Sequence, residues 1–280
     1  MRKKQGPKEL SDYKNINNLG FQQIKSRRGS FLADSFIIGY NRKNYLFCEE
    51  FRIKEWKGVI SVVEILDEYH TTHPRVILER PYHLSYPFLL RCAEELLMIP
   101  ETPKNCSIEL YKCVQFPDKW ILDTVLFEGI LAVDTTVLYE NGLYWLFTCQ
   151  NNGQTDTYDG YDELCLYWAN NIRRPWYPHP QNPIVSDIRR ARCAGSIIRL
   201  QNSFIRPSQD CSVQYGKRID FNHITKLTQT EYLEEPVGLL ENIRYLNAYG
   251  VHTWNSNEHF DTIDVAVQQF KIKNFVFSHE

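Results

Sequence analysis

The chain has 280 residues, with 32 Lys and Arg against 34 Asp and Glu, a formal net charge of −2 and a pI near 6.5. A 43% hydrophobic composition is enough to bury a core, which excludes intrinsic disorder over most of the length. The near-neutral charge lacks the basic excess of a dedicated nucleic-acid binder, so no nucleic-acid partner is expected.

Reading from the N-terminus, Met1 to Lys8 hold four basic residues, and no apolar run of about 7–15 residues follows to complete a secretory signal. Nowhere does an uncharged apolar stretch reach about 18 residues, so no transmembrane segment is expected. The eight cysteines form no C-x-x-C pair, and Cys48, Cys149 and Cys165 sit inside apolar runs as small core hydrophobes. These features predict a reduced, cytoplasmic protein. Residues 1–28 read as a tail or a ring-closing strand, and residues 29–280 as one domain, since no Pro/Gly/Ser linker divides them.

Short alternating runs rich in aromatic and β-branched residues predict an all-β fold. The first unit runs from Asp34 through a polar turn within Asn41-Arg-Lys-Asn44 to Phe47, and a second spans Tyr86 to Ile99. A third runs from Asp134 to Phe147 around Asn141-Gly142, a strong hairpin turn. A fourth begins at Gly195 and a degenerate fifth near His252. Starts spaced by about 50–60 residues, with several strands per unit, point to a five-bladed β-propeller. Gly58–Ile65, Ser107–Tyr111 and Glu163–Trp168 supply further strands of successive blades. Residues from Glu231 to Leu246 read as a short helix or an insertion.

In a propeller the first strand of each blade lines the central channel, so residues at its entrance converge on one mouth. Those residues are Asp34, Tyr86 with nearby His83, Asp134, Arg192 to Gly195, and His252. Glu49-Glu50, Glu101 and Asp210 close the first hairpins, and Arg206 lies close by. Two or three carboxylates around a pocket are the minimum equipment for breaking a glycosidic bond. Tyr82, Tyr86, Trp145 and Trp254 are candidates to stack on sugar rings. The histidines of His70-Thr-Thr-His73 have no nearby Cys and read as loop residues, so no metal site or cofactor is expected.

Taken together, Ala33-Asp34-Ser-Phe-Ile-Ile, Glu79-Arg-Pro-Tyr-His83-Leu-Ser-Tyr-Pro87, Met98-Ile-Pro-Glu101, Ala132-Val-Asp134-Thr-Thr, Ala191-Arg192-Cys-Ala-Gly195 and Ile205-Arg206-Pro-Ser-Gln-Asp210 form a recognisable set. It resembles the N-terminal domain of the plant glucosamine inositolphosphorylceramide transferases and its stand-alone bacterial relatives. Through that domain the chain is similar to five-bladed propeller glycosidases such as glycoside hydrolase family 43. The resemblance implies that blade-start carboxylates of the first three blades serve as base, pKa-tuning group and acid. The first maps onto Asp34 and the third onto Asp134, while the second position holds Tyr86, which cannot tune a neighbour by charge. In the plant proteins the sugar-transferring domain is a separate, C-terminal one, which implies a domain that works beside a glycosyltransferase.

These readings combine into a carbohydrate-active propeller that cleaves or transfers a glycosyl unit of a glycan or glycoconjugate. Asp34 is the expected base and Asp134 the expected acid. Glu50, His83, Tyr86, Glu101, Arg192, Arg206, Asp210 and His252 are the expected substrate-binding residues, the two arginines holding an anionic group. The alternative is a non-catalytic sugar or nucleotide-sugar binding module that assists a separate transferase.

Overall fold

The computed structural model describes residues 1–3, 21–67, 69–150, 162–201, 203–241 and 248–267. Its strands are β1 (Arg2–Lys3), β2 (Ser30–Tyr40), β3 (Lys43–Arg52), β4 (Lys57–Ile65), β5 (Arg75–Leu78), β6 (Ser85–Cys92) and β7 (Glu95–Glu101). They continue as β8 (Ser107–Gln115), β9 (Lys119–Glu128), β10 (Ala132–Glu140), β11 (Leu143–Gln150), β12 (Glu163–Ala169), β13 (Tyr177–Pro178) and β14 (Val185–Ser186). The last are β15 (Ile198–Arg199), β16 (Phe204–Asp210), β17 (Arg218–Leu227), β18 (Tyr232–Leu240), β19 (Ala248–Ser256) and β20 (Phe260–Val267).

Turn chemistry sets the registers. Asn41-Arg42 (φ 47° and 63°) and Asn141-Gly142 (φ 51° and 81°) take positive φ at both positions. This is the mirror-image hairpin turn whose twist matches the flanking strands, and Asn and Gly tolerate it best. It joins Tyr40 to Lys43 and Glu140 to Leu143 as directly paired residues. Sequence-adjacent strands then pair antiparallel into the sheets β2-β3-β4-β5, β6-β7-β8-β9, β10-β11-β12-β13 with β14 also on β12, and β15-β16-β17-β18. A last sheet has the order β1-β20-β19.

The architecture is an all-β propeller. Five blades were expected, the fifth of them degenerate. Four sheets have the four or more strands of a full blade, whereas the last repeat contributes a three-stranded sheet among the described residues. One of its strands comes from the chain start, where Arg2 and Lys3 pair with Asp261 and Phe260. Of the stretch from Glu231 to Leu246, expected to be helix or insertion, Tyr232–Leu240 is instead the edge strand β18, paired along β17, and residues 242–246 lie outside the described residues. Pro236 is tolerated there because an edge strand leaves one row of backbone groups unpaired. Among the described residues no helix is long and apolar enough to cross a membrane.

The inner strands share a backbone device. Asp34, Tyr86 and Asp134 lie at bulges where the pairing of β2, β6 and β10 slips, with φ of 50°, 44° and 51°. Positive φ is costly for residues with a Cβ. The bulge kinks each strand and turns the side chain inward. Gly195 takes φ 119° in the fourth repeat, where an added Cβ would lie 1.9 Å from the Trp254 carbonyl oxygen. The β19 pairing slips around His252. Between blades the core is aromatic and aliphatic: Phe47, Tyr86, Leu97, Leu146, Phe147, Phe221 and Trp254 are all fully buried. Cys48, Cys149 and Cys165 are buried among these residues, and all eight cysteines are free.

Candidate active site

The kinked inner strands gather ionisable groups from four sheets at one channel mouth. Asp34 is almost fully buried. Its Oδ1 accepts the Thr253 hydroxyl at 2.8 Å and lies 3.2 Å from His252 Nε2, while Oδ2 accepts the Tyr86 amide at 3.3 Å. His252 Nδ1 is 2.8 Å from Asp264 Oδ2, which also accepts the Asp34 amide at 2.7 Å. Burial would raise the Asp34 pKa, but His252 and Thr253 outweigh it and hold the carboxyl below its usual 3.8. Burial opposes charge on His252 as well, yet Asp264 and Asp34 hold its pKa well above 6.5. These shifts favour an imidazolium, held between the two carboxylates. These three residues could in principle bracket a cation, their nearest ligand atoms lying within 4.8 Å of one another. With both ring nitrogens already facing carboxylates, the charge balance is supplied by the histidine itself.

Asp134 forms the second centre. Its Oδ2 accepts Arg192 Nε and the Gln209 side-chain amide at 3.1 Å. Its backbone N–H donates to Glu101 Oε2 at 3.1 Å, and that oxygen lies 3.7 Å from the Arg192 guanidinium. Burial drives the Asp134 pKa well above the ordinary 3.8; Arg192 opposes this, and Glu101 and Asp34 reinforce it. Glu101 thus puts a carboxylate of the second repeat beside Asp134, although the blade-start position of that repeat is Tyr86.

Tyr86 adjoins this cluster, its amide donating to Asp34. It is fully buried, its hydroxyl bonds to Thr136 Oγ1 at 2.8 Å, and it accepts the Gly195 amide at 2.8 Å. One phenol therefore ties three repeats together, and its side chain is spent on structure. His83 stands at the rim, its Nδ1 accepting the Gly58 amide at 2.9 Å and its Nε2 lying 3.3 Å from Glu49 Oε1.

Asp34, His83, Glu101, Asp134, Arg192 and His252 are therefore brought together, with Tyr86 bonded to Asp34 through its amide. Glu50, Asp210 and Arg206 are not. Glu50 accepts Ser61 and Ser30 hydroxyls at 2.7 and 3.2 Å inside the first sheet. Asp210 caps a turn by accepting the Ser212 amide at 2.9 Å, and it pairs with Arg218 at 3.2 Å. The Arg206 guanidinium is fully buried against Glu234 at 2.6 Å and the Arg190 carbonyl at 2.8 Å, so it holds no mouth ligand. Side chains alternate along a strand, and the neighbours Glu49 and Gln209 occupy the channel side instead.

The aromatic expectations shift similarly. Trp145 and Trp254 are core residues, and the Tyr82 hydroxyl is committed to Glu109 at 2.8 Å. The accessible ring at the mouth is Tyr215, 48% exposed, with its ring centre 5.0 Å from both the His252 ring and the Arg192 guanidinium carbon. Its loop carries no repeat signal, which is why sequence reasoning passed it over.

The fold is similar to that of solved propeller enzymes. It superposes on the catalytic domain of the GH62 α-L-arabinofuranosidase of Coprinopsis cinerea with a TM-score of 0.62 at 10% identity, covering 84% of this chain and 80% of that one. The GH43_1 enzyme from Xanthomonas citri gives a TM-score of 0.57 at 9% identity, covering 82% and 80%. Identities this low speak for the fold alone.

The sequence itself goes further. The profile of the family described as "Glucosamine inositolphosphorylceramide transferase 1, N-terminal" matches residues 21–277, and the chain belongs to that family, as its motifs led us to expect. Glucosamine inositolphosphorylceramide transferase 1 of Oryza sativa subsp. japonica is 34% identical over 213 residues, 75% of this chain and 28% of that protein. The Arabidopsis thaliana protein of the same name is 32% identical over 247 residues, 86% and 31% of the two chains. The chain thus spans less than a third of the length of these relatives.

Proposed function

We propose that this chain is a five-bladed, carbohydrate-active propeller that cleaves or transfers a glycosyl unit of a glycan or glycoconjugate. In this reading β19, β20 and β1 make the fifth blade. Asp34 is the base and Asp134 the general acid. The observation that carries the reading is a pair of buried carboxyls in one cluster whose surroundings push their pKa values apart. His252 keeps Asp34 ionised, while burial and the neighbouring carboxylates favour a proton on Asp134. Glu101 takes over the tuning role that Tyr86 cannot perform. Arg192 and Tyr215 form the wall for a sugar ring or its anionic substituent. The names of the relatives and of the structural neighbours fit a carbohydrate ligand, and eight free cysteines fit a reducing, cytoplasmic setting.

A second reading has its own support. Arg192 holds the same Asp134 oxygen that Gln209 holds, and a carboxyl clamped in this way suits a site that binds sugar for a separate glycosyltransferase. Turnover of a glycoside panel, with and without phosphate, separates the two. Asp134→Asn should lower turnover by about 10²–10⁴-fold, the share of general acid catalysis, while calorimetry still detects binding. A wild type that binds a glycoside and turns none over establishes the binding module. Undiminished turnover in Asp134→Asn removes Asp134 from the mechanism.

A further inference from the structure

The channel mouth holds a carboxyl with a different environment from the rest. Asp34, Asp134, Glu101 and Asp264 each accept at least one hydrogen bond from a backbone amide, hydroxyl, guanidinium or side-chain amide. Glu49 is 6% exposed, and its Oε1 is buried with no well-formed hydrogen bond, although His83 Nε2 faces it at 3.3 Å. It projects from β3, where it pairs with Ala33, the residue before Asp34. An ionised carboxylate would leave charge on that poorly satisfied oxygen, whereas a neutral acid leaves only a carbonyl there.

We propose that Glu49 is a neutral carboxylic acid that donates its hydrogen to an acceptor oxygen of the bound glycosyl substrate, with His83 as the positioning residue that directs this hydrogen. The proposal rests on the glycosyl-binding reading above for its substrate, but not for its proton.

The surroundings support the neutral form. Burial raises the Glu49 pKa well above 4.5, and Asp34 of β2, Glu101 of β7 and Asp264 of β20 add to it. His252 of β19 is the cation that opposes them. His83 then fixes which oxygen carries the hydrogen. Its Nδ1 accepts the Gly58 amide, so the ring hydrogen sits on Nε2, facing Glu49 Oε1 at 3.3 Å. Burial holds the His83 pKa below 6.5, which keeps the ring in this single neutral tautomer. Oε1 thereby faces a ring hydrogen, so the acid's own hydrogen belongs on Oε2, outside that contact. Gly58 seals the arrangement: an added Cβ would lie 2.4 Å from Oε1 and 2.8 Å from His83 Cε1. No other side chain fits there without pushing the pair apart.

Carbon-13 NMR of protein labelled at the glutamate carboxyl carbon tests the proton directly, the Glu49 signal being assigned by its loss in Glu49→Gln. We expect a neutral-acid shift at pH 7 that moves only at higher pH; an ordinary carboxylate shift at pH 7 overturns the proposal. The donor role is read with a glycoside that the wild type binds from the panel. Glu49→Gln retains an N–H donor and should bind within about threefold of wild type, without the weakening at alkaline pH, while Glu49→Ala should lose about tenfold, the worth of one hydrogen bond. His83→Ala should weaken binding, and His83→Gln, which restores a donor, should recover it. Equal losses in Glu49→Gln and Glu49→Ala would mean that Glu49 acts as an accepting carboxylate, and the donor role falls. If the wild type binds no glycoside, the glycosyl reading fails and takes the donor role with it, whereas the titration still decides the proton.

Discussion

A histidine held between two carboxylates gives the protein a pH signature. His252 has a raised pKa in the folded chain, so its contribution to stability is complete below 6.5 and is lost as pH rises through the folded value. Asp34 has a depressed pKa, so its contribution is present above 3.8 and is lost as pH falls through the folded value. Thermal melts across this range should show the wild type weakening toward alkaline pH. His252→Gln should be less stable at neutral pH and should show a shallower alkaline decline. An alkaline limb unchanged by the substitution would mean that the imidazolium is not formed.

At the scale of the strand, phase decides which side chain reaches the channel. The repeat pattern found the blade starts, because Asp34 and Asp134 stand at like positions before like apolar runs. It did not fix the phase at the other end of each hairpin. Counting pairs back from the Asn41-Arg42 turn, with one residue added for the bulge, sets Glu49 opposite Ala33 and leaves Glu50 on the other side. The bulge was the missing quantity, since a kink of one residue leaves no compositional trace. Burial of Arg206 was likewise illegible, because its partner Glu234 lies on β18, the edge strand whose exposed, Pro-containing sequence hid its pairing. The pair gives a prediction: Arg206→Met strands a buried Glu234 and should cost about 3–5 kcal/mol in denaturant unfolding. Adding Glu234→Leu should recover most of that loss, and a double variant no better than the single would show that the ion pair is not what the site depends on.

Across the whole molecule, side chains add to the pairing of β1 with β20 in joining the last sheet to its neighbours. The Asp34 amide reaches Asp264, 230 residues away. Asn255 does more, donating to the Ser35 carbonyl at 2.8 Å and accepting the Ser196 amide at 2.8 Å, so it latches the last sheet to both neighbours. Asn255→Ala should leave both groups without their partner and destabilise the protein by about 1–3 kcal/mol per group, measured by urea unfolding. Wild-type stability in this variant would mean that the latch is dispensable. The periodicity of the sequence announced the ring, but not this closure: contacts between residues more than 200 apart have no local pattern to betray them.

Tyr86 has a consequence for motion. Because one phenol is bonded both to Thr136 and to the Gly195 amide, the second, third and fourth repeats cannot slide against one another without stripping a buried polar group of its partner.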